Sequence, residues 1–156
     1  MPDSCPTWDL TDLYADIGDA SIKADIEACR SSANGLAANW QGKLETAGGA
    51  ELAAVITEYQ RITEILGKAA SHAQLEFAAN TTDPDIARHH QSIREAGAEI
   101  GAALLFIELE LARLPQARMN TLLEVPALAH WARWLRRVRA GAPHMLGPDM
   151  ERMLAE

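Results

Sequence analysis

The chain has 156 residues, of which 48% are hydrophobic and 23% are charged, so its composition fits one globular domain rather than a disordered chain. Its net charge of −8 argues against nucleic acid or an anionic membrane surface as a partner, because phosphate groups would be repelled. The N-terminus does not resemble a signal peptide, and no apolar run approaches the roughly 20 residues of a membrane helix. We expect a cytoplasmic protein whose cysteines, Cys5 and Cys29, are free thiols, with a disulfide between them as the less favoured alternative.

The first predicted element is a short apolar segment, WDLTDLY, within an N-terminal strap that we assign to residues 1–18. We predict that all its large apolar side chains are buried: Trp8, Leu10, Leu13 and Tyr14. Asp9 or Thr11 is placed to cap a short helical turn. Whether the strap packs on the helices of this chain or on another domain stays open.

Two long amphipathic helices are predicted after the strap. The first begins at an N-cap, Asp19 or Ser21, and continues to about Lys43. Apolar residues at three- and four-residue steps define its buried face: Ile22, Ile26, Cys29, Ala33, Leu36 and Trp40. The second runs from about Ala50 to Ala79, with a stripe of the same kind: Leu52, Val55, Ile56, Tyr59, Ile62, Leu66, Ala69, Ala73 and Phe77.

The third long helix has a clear start and a regular apolar repeat. Thr82 or Asp83 is the predicted cap, and Pro84 takes the first helical position, where its absent N–H costs nothing. The helix continues to about Leu114, and its apolar residues recur every seven positions: Ile86, Ile93, Ile100, Ile107 and Leu114. This spacing is typical of a helix packed along nearly parallel neighbours.

Small residues and prolines complete the predicted organisation. The small residues around Gly97 and Gly101 predict the close approach of another helix. Pro115 and Pro126 start two shorter helical pieces, and Pro148 starts a last one. We therefore predict an all-α antiparallel helical bundle of three long helices plus short C-terminal helices. Its single domain, 1–156, divides into a strap (1–18), three long helices (19–114) and a cluster of short helices (115–156).

The chain contains no recognisable catalytic motif, so we assign it no catalytic and no metal-binding residue. His72 and Glu76 share a helix face and could supply half of a metal site, although an exposed or capped pair is the favoured interpretation. His89 and His90 are adjacent, so a helix points them about 100° apart and they cannot easily chelate one ion. Cys29 lies on an apolar helix face, which favours a core cysteine over a nucleophile.

One basic patch, in HWARWLRRVRA, stands against the acidic background. Arginines alternate there with tryptophans and aliphatic residues: Trp131, Arg133, Trp134, Leu135, Arg136, Arg137, Val138 and Arg139. One interpretation is a contact for an anion or a peptide carboxylate, with the tryptophans as platforms. The favoured alternative is an amphipathic helix that buries its apolar residues while the arginines snorkel or pair with acids.

Four segments, taken in order, resemble one family. WDLTDLY resembles the opening Trp-Asp-Leu-(Ser/Thr)-Asp-Leu-Tyr of oligoendopeptidase F and its relatives among the thimet-oligopeptidase-like zinc metallopeptidases. FAANTTDPD is similar to the family's Ala-Asp-Thr-Thr-Asp-Pro step, with Asn80 in place of the commoner acid. LLFIELELARL is similar to its Phe-Phe-Glu-Leu-Glu-Leu stretch. APHMLGPDMERMLAE resembles its Pro-His-x-Leu-Ser-x-x-x-Glu-x-x-Leu segment, with Gly147 where a capping serine is usual.

The resemblance implies the N-terminal helical domain of such a peptidase, which forms one wall of a channel that admits short unfolded peptides. The family's zinc site, a His-Glu-x-x-His helix plus a later glutamate, lies in a downstream catalytic region and has no counterpart in these residues. We therefore expect no cofactor in this chain, zinc in a C-terminal catalytic domain of the same polypeptide, and a chain that is an inactive fragment. The candidate contacts to peptide or to that domain are Trp8, Tyr14, Trp131, Trp134, Arg137 and His144.

A second hypothesis is a stand-alone helical module that binds a partner protein. Exposed apolar residues on the strap and on the C-terminal short helices would favour the channel wall, because that surface would face the catalytic domain. The isolated domain is also expected to form a homodimer by covering this surface with a second copy.

Overall fold

The computed structural model describes residues 8–144, together with Met150 and Met153. Within 8–144 the chain forms five α-helices, two short 3₁₀ helices and no strand, which confirms the predicted all-α bundle. The α-helices are α1 (Ala20–Trp40), α2 (Gly49–Ala79), α3 (Pro84–Arg113), α4 (Gln116–Leu123) and α5 (Ala132–Gly141). The 3₁₀ helices are Pro126–Trp131 and Ala142–His144. Cys5 and the predicted helix from Pro148 lie outside the described residues, Met150 and Met153 apart.

Side-chain capping sets the starts of α1 and α3. The carboxylate of Asp19 accepts a hydrogen bond from the Ser21 N–H at 2.9 Å, which confirms Asp19 as the cap of α1. The carboxylate of Asp83 does the same for α3, and Pro84 follows it at the first helical position. Short connections then make successive long helices antiparallel, and all three pack on one another.

The first helix is shorter than predicted. It ends at Trp40 rather than near Lys43, and Gly42 follows with φ of +80°. This left-handed conformation is open to glycine at little cost, and it turns the chain into the connection to α2. At the next boundary, α2 begins at Gly49, one residue before the predicted start.

The core lies where the apolar periodicity predicts it. Of the seven-residue repeat on α3, Ile93, Ile100, Ile107 and Leu114 are buried, and Ile86 is half-buried. Cys29 is fully buried on α1, as predicted, with the other buried residues of that face: Ile22, Ile26, Ala33 and Leu36. The long helices are therefore held chiefly by burial of aliphatic side chains.

The strap packs on the bundle of this chain through Tyr14, which is only 2% exposed. The Tyr14 hydroxyl donates a hydrogen bond to Asp25 Oδ2 at 2.8 Å. The Thr11 N–H donates to Asp9 Oδ1 at 3.0 Å, which confirms Asp9 as the cap of the turn before Tyr14. Trp8, by contrast, is not buried against the helices of this chain. It is 85% exposed because it precedes this turn and does not contact the helices, so its burial against another domain stays a prediction.

The prediction for His72 was wrong. His72 is not exposed but fully buried, because the turn of the strap brings Tyr14 over it and His89 of α3 packs beside it.

At Gly97 and Gly101 themselves, an added Cβ would meet nothing within 4 Å. Of the neighbouring small residues, Ala96 is buried and Ala103 packs against the core, so the small residues do allow close packing there.

The short helices close one side of the bundle. The piece that starts at Pro126 is a 3₁₀ helix up to Trp131, and only then becomes α5. Leu135 and Val138 of α5 are buried, and α5 packs on α3. Arg139 donates a hydrogen bond to the Ala112 carbonyl near the end of α3. This contact is structural, in line with the interpretation of this segment as an amphipathic helix rather than an anion site.

No helix in the described part of the chain combines the length and the apolar character needed to cross a membrane.

Candidate functional site

An open groove of about 660 Å³ lies between the long helices and the short C-terminal ones. Residues of α2 and α3 form one side of it, and residues of the 3₁₀ helix and α5 form the other. We call it the aromatic groove and define it by the side chains that shape its floor and walls: Tyr59, Glu64, Glu108, Trp131, Arg133, Trp134 and Arg137. Its volume lies in the range of small-ligand pockets, roughly 300–1,000 Å³.

The floor of the aromatic groove is held in place by specific contacts. The indole N–H of Trp131 donates to Gln60 Oε1 at 2.9 Å. The rings of Tyr59 and Trp134 lie 5.8 Å apart between centroids, at a tilt of 34°. Both tryptophans are half-buried, so each packs against the core and keeps part of its surface toward the groove. The sequence analysis favoured an amphipathic helix that buries all four apolar residues. Leu135 and Val138 are buried as predicted, whereas the two tryptophans are buried only in part.

Two carboxylates line the α2–α3 side of the groove. The Tyr59 hydroxyl donates to Glu108 Oε1 at 2.9 Å, and burial together with this carboxylate raises the pKa of Tyr59. The Gln60 amide donates to Glu64 Oε1 at 2.7 Å. Both donors are neutral, so these contacts do not balance the carboxylate charge. Within residues 8–144 neither glutamate forms an ion pair.

Two guanidinium groups line the opposite side. Arg133 and Arg137 are exposed and stand four residues apart on α5, which places them on the same helix face. Neither forms an ion pair with a residue of the 8–144 range. Arg136, between them in sequence, is exposed but does not line the groove.

The structure separates the sequence candidates into groups. Trp131, Trp134 and Arg137 meet in the aromatic groove. Tyr14 contacts α2 beside His72, which lies 12 residues beyond Gln60 and so roughly 18 Å further along the helix axis. Trp8 and Tyr14 are not lining residues of the groove, and the side chain of His144 lies outside the described part.

Sequence reasoning missed the α2–α3 side of the groove. Tyr59 was assigned to an apolar stripe, Glu64 drew no interpretation, and Glu108 was set aside because its spacing from Glu110 is poor for a carboxylate pair. These residues lie far from Arg133 and Arg137 in sequence, and only the packing of α5 and its preceding 3₁₀ helix brings them together. No local motif could have signalled this arrangement.

The residues that come nearest to a metal site do not fit a catalytic zinc ion. His72 Nε2 lies 3.9 Å from Glu76 Oε1, and the His72 and His89 rings meet edge to face with centroids 6.2 Å apart. Such a zinc site needs three protein ligands and an open position. In the described residues, no group of three or more histidine, cysteine, aspartate or glutamate side chains is arranged to hold a metal. We therefore derive no chemistry through a metal at this cluster.

The fold and the groove define a class: an all-α bundle domain with a partly aromatic, charge-lined groove beside its C-terminal short helices. The family model described as oligopeptidase F, N-terminal, matches residues 110–156. Over residues 110–156, which include α4, α5 and the end of α3, this match confirms the family resemblance predicted from the sequence. Comparisons with curated proteins and with solved structures gave no significant match.

Proposed function

We propose that this chain is the N-terminal, channel-wall domain of a zinc-dependent oligoendopeptidase that hydrolyses short peptides. The zinc ion and the catalytic residues belong, in this proposal, to a C-terminal domain of the same polypeptide, and the working compartment is the cytoplasm. The observation that carries the proposal is the family match at 110–156, because this segment supplies α5 and with it the arginine side of the aromatic groove.

The distribution of exposed apolar side chains supports the same proposal. Trp8 on the strap is 85% exposed, and Met150 and Met153 near the C-terminus are 54% and 68% exposed. These are the two regions that a wall domain would turn toward its catalytic partner, and exposed large apolar groups favour such a contact. Leu75 on α2, 40% exposed, is an exposed apolar residue outside both regions.

The test compares the product of the full reading frame with the 156-residue chain. Both proteins are purified and incubated with zinc and a quenched fluorogenic peptide, with and without a chelator. We expect the longer product to carry a His-Glu-x-x-His motif and to cleave the peptide only without chelator. The 156-residue chain is expected to leave the peptide intact. A reading frame without that motif, or cleavage by the short chain that a chelator abolishes, would contradict the proposal.

A stand-alone interaction module remains the competing function. It predicts that the full reading frame ends without a peptidase domain and that a partner protein, rather than a peptide substrate, occupies the exposed surface. The same comparison therefore separates the two functions.

A further inference from the structure

We propose that the aromatic groove binds a short peptide by its two free ends. The α-carboxylate lies at Arg133 and Arg137, the N-terminal ammonium at Glu64 and Glu108, and an apolar side chain on Trp131 and Trp134. The choice of a peptide as ligand rests on the proposed function. The recognition of the free ends rests on the charges of the groove itself.

The first argument is the separation of charge across the groove. Two guanidinium groups line the α5 side and two carboxylates line the α2–α3 side, and none of the four forms an ion pair within residues 8–144. Arginine pairs with carboxylates in a bidentate geometry, and a carboxylate accepts hydrogen bonds from an ammonium group. A groove with both signs on opposite sides is complementary to a zwitterion.

The same charges disfavour other ligands. A purely anionic partner would meet Arg133 and Arg137 but would also face the two glutamates. It would approach a chain whose net charge is already −8. A zwitterion avoids both penalties, because its positive end neutralises the side of the groove that repels an anion.

The second argument is the preorganised aromatic floor. Trp131 is fixed by its hydrogen bond to Gln60, and Trp134 by its contact with Tyr59, so neither ring has to be ordered when a ligand binds. Half-buried tryptophans offer a large apolar surface at a low entropic cost. The floor therefore suits a peptide with an aromatic or large aliphatic side chain between its charged ends.

The experiment titrates the purified 156-residue chain with the tripeptide Ala-Ala-Phe, its C-terminal amide and its N-acetyl form by isothermal titration calorimetry. We expect the free acid to bind about tenfold more tightly than the amide, as the loss of one charge-assisted contact predicts. The N-acetyl form is expected to bind several-fold more weakly than the free peptide.

Variants assign the effect to the groove. The double variant Arg133→Gln/Arg137→Gln should bind acid and amide equally, and Glu64→Gln should reduce the difference caused by acetylation. Arg136→Gln is the matched control, because this arginine is exposed on the same helix but does not line the groove. Thermal unfolding of each variant checks that the fold is retained.

Three results would overturn the inference. The first is equal affinity of the wild-type chain for acid and amide, or no saturable binding by the folded chain. The second is a loss of peptide affinity in Arg136→Gln as large as the loss of affinity in the double variant. The third is tight binding of an acidic peptide blocked at both ends, which would assign the groove to acidic side chains.

Zinc-dependent cleavage by the full-length product, without end-dependent binding, would overturn this inference alone. Binding without such cleavage would instead overturn the proposed function.

Discussion

At the residue scale, Gly49 shows where the bundle has no room for a side chain. A Cβ at this first position of α2 would lie 2.7 Å from Cγ1 and 2.8 Å from Cγ2 of Val125. Valine is β-branched and stiff at χ1, so it cannot swing aside as a long flexible side chain could. The contact joins the start of α2 to the residue just before the 3₁₀ helix, and glycine is what permits it.

We predict that Gly49→Ala lowers the free energy of unfolding by about 1–3 kcal/mol, as overpacking typically does. Urea unfolding measures the change. Gly67→Ala is the control in the same helix. Nothing lies within 4 Å of its added Cβ, so it should raise stability by about 0.5–1 kcal/mol through helix propensity. The double variant Gly49→Ala/Val125→Ala removes the clash, so it should lose less stability than the two single variants together. If its loss of unfolding free energy equals the sum of the two single losses, this explanation is contradicted.

His89 makes the stability of the bundle depend on pH near neutrality. Its Nε2 is buried and has no hydrogen-bond partner among the described residues. Burial lowers the pKa of His89, nearby His72 and His90 lower it further, and Glu76 opposes them. The neutral imidazole is thus favoured in the folded state. Its contribution to stability is present above the unfolded pKa of 6.5 and is lost as the pH falls toward the lower folded pKa.

We therefore predict that the free energy of unfolding falls between about pH 7.5 and about pH 5, and that His89→Leu makes this fall shallower. Urea unfolding of both proteins at several pH values in this window measures the slope. Leucine is neutral throughout, so it removes the proton uptake that accompanies unfolding. An identical slope in the two proteins would show that His89 is not the group responsible.

At the scale of elements, Glu110 holds the connection between α1 and α2. One of its oxygens accepts the Gly42 N–H at 2.6 Å, and the other accepts the Leu44 N–H at 3.2 Å. A carboxylate on α3 thus satisfies two backbone donors of the segment that follows α1. Glu108, two residues earlier, accepts from Tyr59 of α2 instead.

We predict that Glu110→Ala lowers the free energy of unfolding by about 1–3 kcal/mol, because two backbone N–H groups lose their acceptor. Glu110→Gln keeps one acceptor oxygen and should lose less. Glu95→Ala is the surface control on the same helix, with an expected change within about 0.5 kcal/mol. Chemical unfolding monitored by circular dichroism measures all three. An effect of Glu110→Ala no larger than that of the control would exclude this role.

The elements were predictable where their signals are local. Asp19 and the Asp83–Pro84 pair set helix starts through contacts within three residues, and the repeat from Ile93 to Leu114 sets the buried face of α3. The end of α1 at Trp40 and the 3₁₀ conformation up to Trp131 depend on packing between elements, so periodicity missed them. The same limit explains the groove. Its arginine side was visible in sequence, whereas its carboxylate side exists only through tertiary contact.

At the scale of the whole molecule, Tyr14 is the residue that ties the strap to the bundle. Its hydroxyl contacts Asp25 of α1, its ring meets His72 of α2 edge to face at 5.5 Å, and Lys68 Nζ lies 4.1 Å from its centroid. Through Tyr14 the strap thus contacts both α1 and α2. Trp8, six residues earlier, takes no part in this arrangement.

The last prediction concerns this division of the strap. Tyr14→Ala should lower the free energy of unfolding by about 3–5 kcal/mol, as for other large buried aromatic groups. Tyr14→Phe keeps the ring and should cost about 1–2 kcal/mol for the hydrogen bond to Asp25. Trp8→Ala should change it by less than about 0.5 kcal/mol, because an exposed side chain loses little contact on truncation. Urea unfolding of the 156-residue chain measures the three values. A large loss in Trp8→Ala would mean that Trp8 is buried in solution, and its exposure would then no longer support a surface that faces another domain.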